Sequence, residues 1–370
     1  MKQFLVLTLL FGTLLMAEFP IGVYSLDPDN DYNHEVTGEF DINYVHRYVH
    51  PYKGPDQVEV IMKNAQKHGK KVLFNLIRGT VLDEEDGMEQ ILAVIRKYKD
   101  HPALGMWYLY DEPTGEAMRV KLSKVYEMLK QESPDIPVAL CLAWTADYPI
   151  FKDCADFLMP DFYPLKNQEF PNAPLGLFPH FVWNMSRLGK PIIPIAQIMS
   201  WRSYPKVVER KNIDPASCLF PGPKEMHYFN FSTIVMDIKG MFYYSYHDLW
   251  REKQIPYFKE KIGPAIKEFA EFIKEIEGAE FKALTTPIGK GRFPEYLAAS
   301  WTKDNEAWLV LVNNKGEELT GNFKLEKAPG IIGTLKTWKN TRETAAKITE
   351  NSIELEKILP WEVMVWKIEP

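Results

Sequence analysis

From Phe19 onward, short apolar runs ending in polar residues alternate with longer stretches of helical hydrophobic spacing. The short runs cover residues 20–26, 42–49, 71–77, 105–110, 137–144, 157–163, 191–199 and 238–246. Amphipathic stretches lie between them, among them 55–68, 87–99 and 115–132, and a last one, 261–277, follows the eighth run. Eight strands and eight helical connections within about 260 residues predict an α/β chain wound as a (β/α)8 TIM barrel. A doubly wound sheet would share the alternation, but no Gly-rich phosphate loop follows the first run.

Near Glu280 the rhythm changes. Segments 297–301, 307–313, 321–325, 333–339, 352–355 and 362–368 are short and alternating, and turn signals such as Lys303-Asp304-Asn305 and Asn313-Asn314-Lys315-Gly316 separate them. They predict a small all-β sandwich of about 90 residues behind the barrel. The expected division is a signal peptide at 1–17, a barrel at 18–278 and a C-terminal β-sandwich at 279–370.

The signal is read from Lys2 and the apolar run 4–17, which is short for a bilayer span and ends on the small residue Ala17. The expectation is export, to the outside or the periplasm. Leu15 stands where a small residue favours cleavage, so an uncleaved N-terminal membrane anchor is the alternative. No second apolar segment follows, and no membrane span is expected after signal removal.

Composition narrows the partners. The 370 residues are 46% hydrophobic and 25% charged, an ordinary globular balance. A net charge of −6 without a basic block speaks against nucleic-acid binding by counterion release. Aromatics at 13%, including 10 Trp and 18 Tyr, suit a surface that stacks on sugar rings, although a large core also uses them. Cys141, Cys154 and Cys218 have neither disulfide-scaffold nor zinc spacing, and Cys141 reads as a small buried hydrophobe. Oligomeric state is left open.

In a barrel, reacting side chains gather where the strands end. The ends supply Tyr24 and Asp27; His46, Arg47 and Tyr48; Asn75 and Arg78; Asp111 and Glu112; Trp144; Asp161 and Tyr163; Gln197 and Trp201; and Tyr244, Tyr246, His247 and Asp248. Carboxylates, amides, an arginine and aromatic rings on one rim would make a carbohydrate cleft. The sharpest feature is Asp111-Glu112-Pro113. Adjacent carboxylates with partial burial raise each other's pKa, as a general acid near neutral pH requires. The plain alternative is that Asp111 caps the next helix and Glu112 forms a salt bridge on the rim.

The stretch Trp107-Tyr108-Leu109-Tyr110-Asp111-Glu112-Pro113 resembles the strand-four end of the clan A barrel glycoside hydrolases, usually Asn-Glu-Pro with the Glu as acid/base. Met159-Pro160-Asp161-Phe162-Tyr163-Pro164 is similar to their strand six. Pro223-Lys224-Glu225-Met226-His227, leading into 238–246, resembles members that carry a C-terminal β-sandwich. The motifs follow the family order over most of the chain. The resemblance implies a glycosidase cleaving O-glycosidic bonds of a poly- or oligosaccharide, with Glu112 as proton donor, no metal, and no redox or nucleotide cofactor.

Two departures bear on mechanism. Asp111 stands where the family has Asn, so a donor becomes an acceptor. On strand seven Gln197 stands where the family carries its nucleophilic Glu, and an amide cannot form the glycosyl-enzyme ester. Three accounts follow. Glu112 can be the acid and Asp161 the base of an inverting reaction, with Asp27 or Asp248 as substitutes for Asp161. Asp111 and Glu112 can divide orientation and acid duties in substrate-assisted cleavage of an acetamido sugar. The barrel can bind glycans without cleaving them. Arg47, Asn75, Tyr163, Gln197, Trp201, Tyr246 and Asp248 are expected to bind substrate. A metal-dependent hydrolase built on His46, His247 and nearby carboxylates is the competing enzyme class, but no His-x-His ends strand one.

Overall fold

The computed structural model describes residues 18–27, 30–52, 55–285, 292–326, 334–339, 341–349 and 351–369; the expected signal at 1–17 lies outside them. Alternation along the strands sorts side chains between two layers. In β5 (Val138–Leu142), Val138, Leu140 and Leu142 join the helix-facing core, whereas Ala139 and Cys141 join the cluster inside the barrel. The other barrel strands are β1 (Ile21–Val23), β2 (Tyr44–His46), β3 (Lys71–Asn75), β4 (Leu104–Tyr108), β6 (Phe157–Pro160), β7 (Ile195–Gln197) and β8 (Met241–Tyr244). They pair in parallel in the order β6-β5-β4-β3-β2-β1-β8-β7, and the bridges Leu158↔Ile192 and Asp161↔Ile195 close the ring. The interior is tightly filled: a Cβ on Gly22 would lie 2.2 Å from the Phe242 ring.

The helices are α1 (Asp31–Gly38), α2 (Pro55–Lys67), α3 (Gly87–Tyr98), α4 (Gly115–Glu132), α5 (Tyr148–Phe151), α6 (Leu177–Ser186), α7 (Pro205–Arg210), α8 (Pro223–Ile234), α9 (Tyr246–Arg251), α10 (Ile255–Tyr257) and α11 (Gly263–Glu275). Helix α3 buries Ile91, Val94, Ile95 and Tyr98, the stripe expected of a helix lying on a sheet. Asn30 caps α1 by accepting from the Tyr32 amide at 3.1 Å. Several strands are shorter than their apolar runs: 42–49 yields strand only at Tyr44–His46. The residues of each run that follow its strand turn into the loops at the barrel mouth. Among the described residues no helix is long and apolar enough to cross a membrane.

Beyond α11 the chain forms antiparallel sheets. One has the order β13-β16-β11-β10-β9, from β9 (Glu280–Ala283), β10 (Tyr296–Lys303), β11 (Glu306–Asn313), β13 (Thr334–Thr337) and β16 (Val363–Glu369). The other joins β12 (Leu319–Lys324), β15 (Ser352–Ile358) and β14 (Ala346–Thr349). Leu309, Leu311, Phe323, Ile353 and Trp366 fill the space between the sheets. The opposite face of the larger sheet packs on the barrel: Phe272 of α11 lies 5.5 Å from Trp301 and 5.4 Å from Trp338, ring centre to ring centre. Glu275, at the end of α11, accepts from the Trp308 indole at 2.9 Å and the Trp338 indole at 3.1 Å.

Candidate active site

Strands β1, β2, β4, β5, β6, β7 and β8 and the loops after them surround a cavity of about 170 Å³, lined by Tyr24, Tyr48, Asp111, Glu112, Cys141, Asp161, Tyr163, Ile195, Met199, Trp201, Tyr204 and Tyr244. That is smaller than the roughly 300–1,000 Å³ of a pocket for a drug-sized ligand. It suits one sugar ring better than several.

Asp111 and Glu112 follow β4. Glu112 adopts φ +50°, a left-handed conformation that costs a side-chain-bearing residue of order 1–3 kcal/mol. The residue is exposed at the rim and also lines the cavity. There it comes within hydrogen-bonding reach of the Asp161 carboxyl, which two carboxyls can share only with a proton between them. Burial raises the pKa of both groups, Asp161 well above the carboxylate range, and their mutual repulsion adds to the shift of Asp161. Asp161 sits on the seam of the barrel, in the bridge to Ile195. Its Oδ2 accepts from Tyr163 at 3.3 Å, and its buried Oδ1 finds no donor among the described residues.

Asp111 is anchored differently. Its Oδ1 accepts from the phenols of Tyr108 at 2.5 Å and Tyr48 at 3.2 Å. Burial raises its pKa, and those two bonds and Arg78 pull against the rise. Arg78 lies over the Tyr48 ring, 4.9 Å from its centre. On the far wall Tyr163 stacks on Tyr244 at 5.2 Å. Tyr204 donates to Asp248 at 2.8 Å and meets the Tyr244 hydroxyl at 2.8 Å, so the Tyr244 proton points at Tyr204. Burial pushes the Tyr244 phenol up to about 12.

Of the residues expected from sequence, Asp111, Glu112, Asp161, Tyr163 and Trp201 meet in this cavity. Five expected to bind substrate do not line it. Gln197 is fully buried and spends its amide on the backbone: Oε1 accepts from Leu165 N at 2.9 Å, and Nε2 donates to Leu165 O at 2.7 Å and Met199 O at 3.0 Å. Asn75 donates to Val49 O at 2.9 Å. Tyr246 opens α9 and turns outward to Asn33. Arg47 donates to Ser25 O at 3.4 Å. Asp248 supports the wall from behind, accepting from Tyr204, from Ser245 at 2.6 Å and from Arg251 at 3.0 Å.

Asp27 and His247 also lie outside the lining, and Trp144 is exposed. His46 is fully buried among the rings of Tyr24, Tyr48 and Tyr108, with both nitrogens unpartnered, and burial drives its pKa well below the usual value. Among the described residues, no group of three or more His, Cys, Asp or Glu side chains is arranged to hold a metal. Tyr204 is the one lining aromatic that strand-end reading missed. It lies beyond β7 and just ahead of Pro205, where no strand periodicity points inward. Cys141, expected as a core filler, also touches the cavity floor.

No protein-family model matches the chain, and no curated protein matches it by sequence. Solved structures do. A glycoside hydrolase superposes with a TM-score of 0.63 at 14% identity, over 95% of this chain and 93% of that one. A glycoside hydrolase of family 5 from Bacteroides vulgatus gives 0.63 at 14%, over 95% and 89%. An Anoxybacillus α-amylase gives 0.54 at 10%, over 95% and 98%. The chain therefore has the fold of the glycoside hydrolases, a (β/α)8 barrel followed by C-terminal β-sheets, as its strand-four, strand-six and strand-eight motifs led one to expect.

Proposed function

We propose that the protein is a glycosidase whose acid is the Glu112–Asp161 carboxyl pair. The convergence of Glu112, Asp161 and Asp111 on one ring-sized cavity is the observation that carries this reading. Both pKa values are raised, so the pair keeps a proton at pH values where an isolated carboxyl has lost it. Glu112, at the rim, delivers that proton to the leaving oxygen, and Asp161 holds it in reserve from below.

Asp161, sharing its proton with Glu112, is not free to activate a water as the base of an inverting reaction. The second catalytic duty falls to Asp111, whose two phenol donors favour its charged form: it faces the charge that develops at the anomeric carbon and takes the proton of the attacking water. The apolar segment 4–17 supports export to where polysaccharides are met.

A binding-only barrel is the second reading, and one observation favours it: Gln197 occupies the strand-seven nucleophile position. Product release from a panel of oligosaccharides, compared with Glu112→Gln and repeated with a chelator, separates the readings. The glycosidase reading expects turnover that the chelator does not touch and that falls by roughly 10²–10⁴ in the variant. Turnover surviving in Glu112→Gln removes Glu112 as the acid. Binding without release from any glycan establishes the second reading.

A further inference from the structure

The side chains around the cavity are almost entirely hydrogen-bond acceptors. Tyr48 spends its proton on Asp111, Tyr163 on Asp161, and Tyr204 on Asp248. Tyr244 spends its proton on Tyr204, and Tyr24 points at the Met159 sulfur. The Trp201 indole donates to Tyr163 O at 3.2 Å. What these phenols present to the cavity is lone pairs, beside three carboxyl groups. None of the lining residues is Lys, Arg or His. The Asp161 Oδ1 atom, buried in the wall of the cavity, has no donor among the described residues.

An uncharged hexose, whose hydroxyls both give and take protons, would find few donors here. A uronic or sialic acid would meet like charge. An ammonium group offers three protons and accepts none, and aromatic faces such as the stacked Tyr163 and Tyr244 attract it further.

We infer that the ligand of this cavity is an amino sugar, bound through a free ammonium group that lies among Asp111, Asp161 and the tyrosine rings. The inference rests on the glycosidase reading and specifies its substrate class. Positive charge developing at the anomeric carbon calls for a carboxylate only in the transition state. The surplus of acceptors is present in the ground state and selects for a ligand already charged before reaction.

The test is saturation-transfer NMR and calorimetric titration of the full chain with glucosamine, galactosamine and mannosamine at slightly acid pH. Each is compared with its hydroxyl parent, its N-acetyl derivative and glucuronate. At least one amino sugar should bind about tenfold or more tighter than its parent. N-acetylation should abolish that advantage, glucuronate should not bind, and Asp111→Asn should bring amino sugar and parent close together. If that variant fails to fold, added salt serves instead, because it should weaken the amino sugar and leave the parent unchanged. Parent hexose binding as tightly as the amino sugar, or an advantage that survives both Asp111→Asn and salt, overturns the inference while the glycosidase reading stands. If no sugar of the panel binds, the inference falls, and product release from oligosaccharides still decides the glycosidase reading.

Discussion

Gln197 and Leu165 are locked together by two hydrogen bonds, the amide of the one pairing with the backbone N–H and C=O of the other at 2.9 and 2.7 Å. The strand-seven position that carries a nucleophile in the resembling hydrolases here straps down the loop after β6. Gln197→Glu should therefore not restore a retaining enzyme. A carboxylate would face two carbonyl oxygens, Leu165 O and Met199 O, with nothing to donate to them. The expected loss is about 2–4 kcal/mol of stability, measured by chemical denaturation, with no covalent glycosyl-enzyme seen by mass spectrometry. A stable variant that acquires such an adduct would show that the strap is dispensable.

The acid pair should make stability depend on pH in a fixed direction. Glu112 and Asp161 have native pKa values above those of the unfolded chain, so the folded state holds protons that the unfolded state has released. Their favourable contribution is complete below the ordinary carboxylate pKa, and it is lost as pH rises through the raised native values. Glu112→Gln removes one member of the crowded pair. It should raise the melting temperature at neutral pH, shrink the fall in stability as pH rises above the ordinary carboxylate range, and cut turnover. A variant melting lower than its parent at neutral pH would contradict the shared proton.

Asp248 holds Tyr204, Ser245 and Arg251 at once. Asp248→Ala leaves a phenol and a hydroxyl without their acceptor and frees the Tyr244 proton to turn. About 2–3 kcal/mol of stability should go, together with ligand affinity, although Asp248 does not line the cavity. Denaturation and titration of the same sample read both effects, and unchanged affinity would detach Tyr244 from this support.

Glu275 takes the indole protons of Trp308 and Trp338, which are both nearly buried. Glu275→Ala should cost about 2–3 kcal/mol, two charge-assisted bonds being lost at once, and Glu275→Gln should recover part of it because the amide oxygen still accepts. Equal stability of the two variants would mean that the indoles find water as readily as the carboxylate.

The order of elements was legible because alternation and helical spacing are local and repeat along the chain. Val138 to Leu142 is apolar throughout, as a strand buried on both faces is expected to be. The cavity was legible where chemistry lies within a few residues of a strand end in a loop that stays at the mouth, as with Asp111, Glu112 and Asp161. It was not legible where a new helix or a longer loop redirects the chain and alternation stops predicting direction. Tyr246 follows Tyr244 by two positions, yet a helix begins there and swings it out to Asn33. Asn75 and Gln197 show a second limit. A buried amide serves a backbone as well as a ligand, and only the loops it meets decide which. Tyr204 enters from a loop whose path no spacing encodes.

The joint core of barrel and sheets has a consequence for how damage spreads. Residues of α8 and α11 are buried against the larger sheet, and α8 feeds directly into β8, whose last residue is Tyr244. The sheets act as a buttress rather than a passenger. Trimming the chain from its C-terminal end would strip β16 from between β13 and β11, unseat α8, and reach the cleft through β8 without altering any residue that lines it. Inactivating lesions in this protein should therefore cluster along that line of support as well as around the cavity.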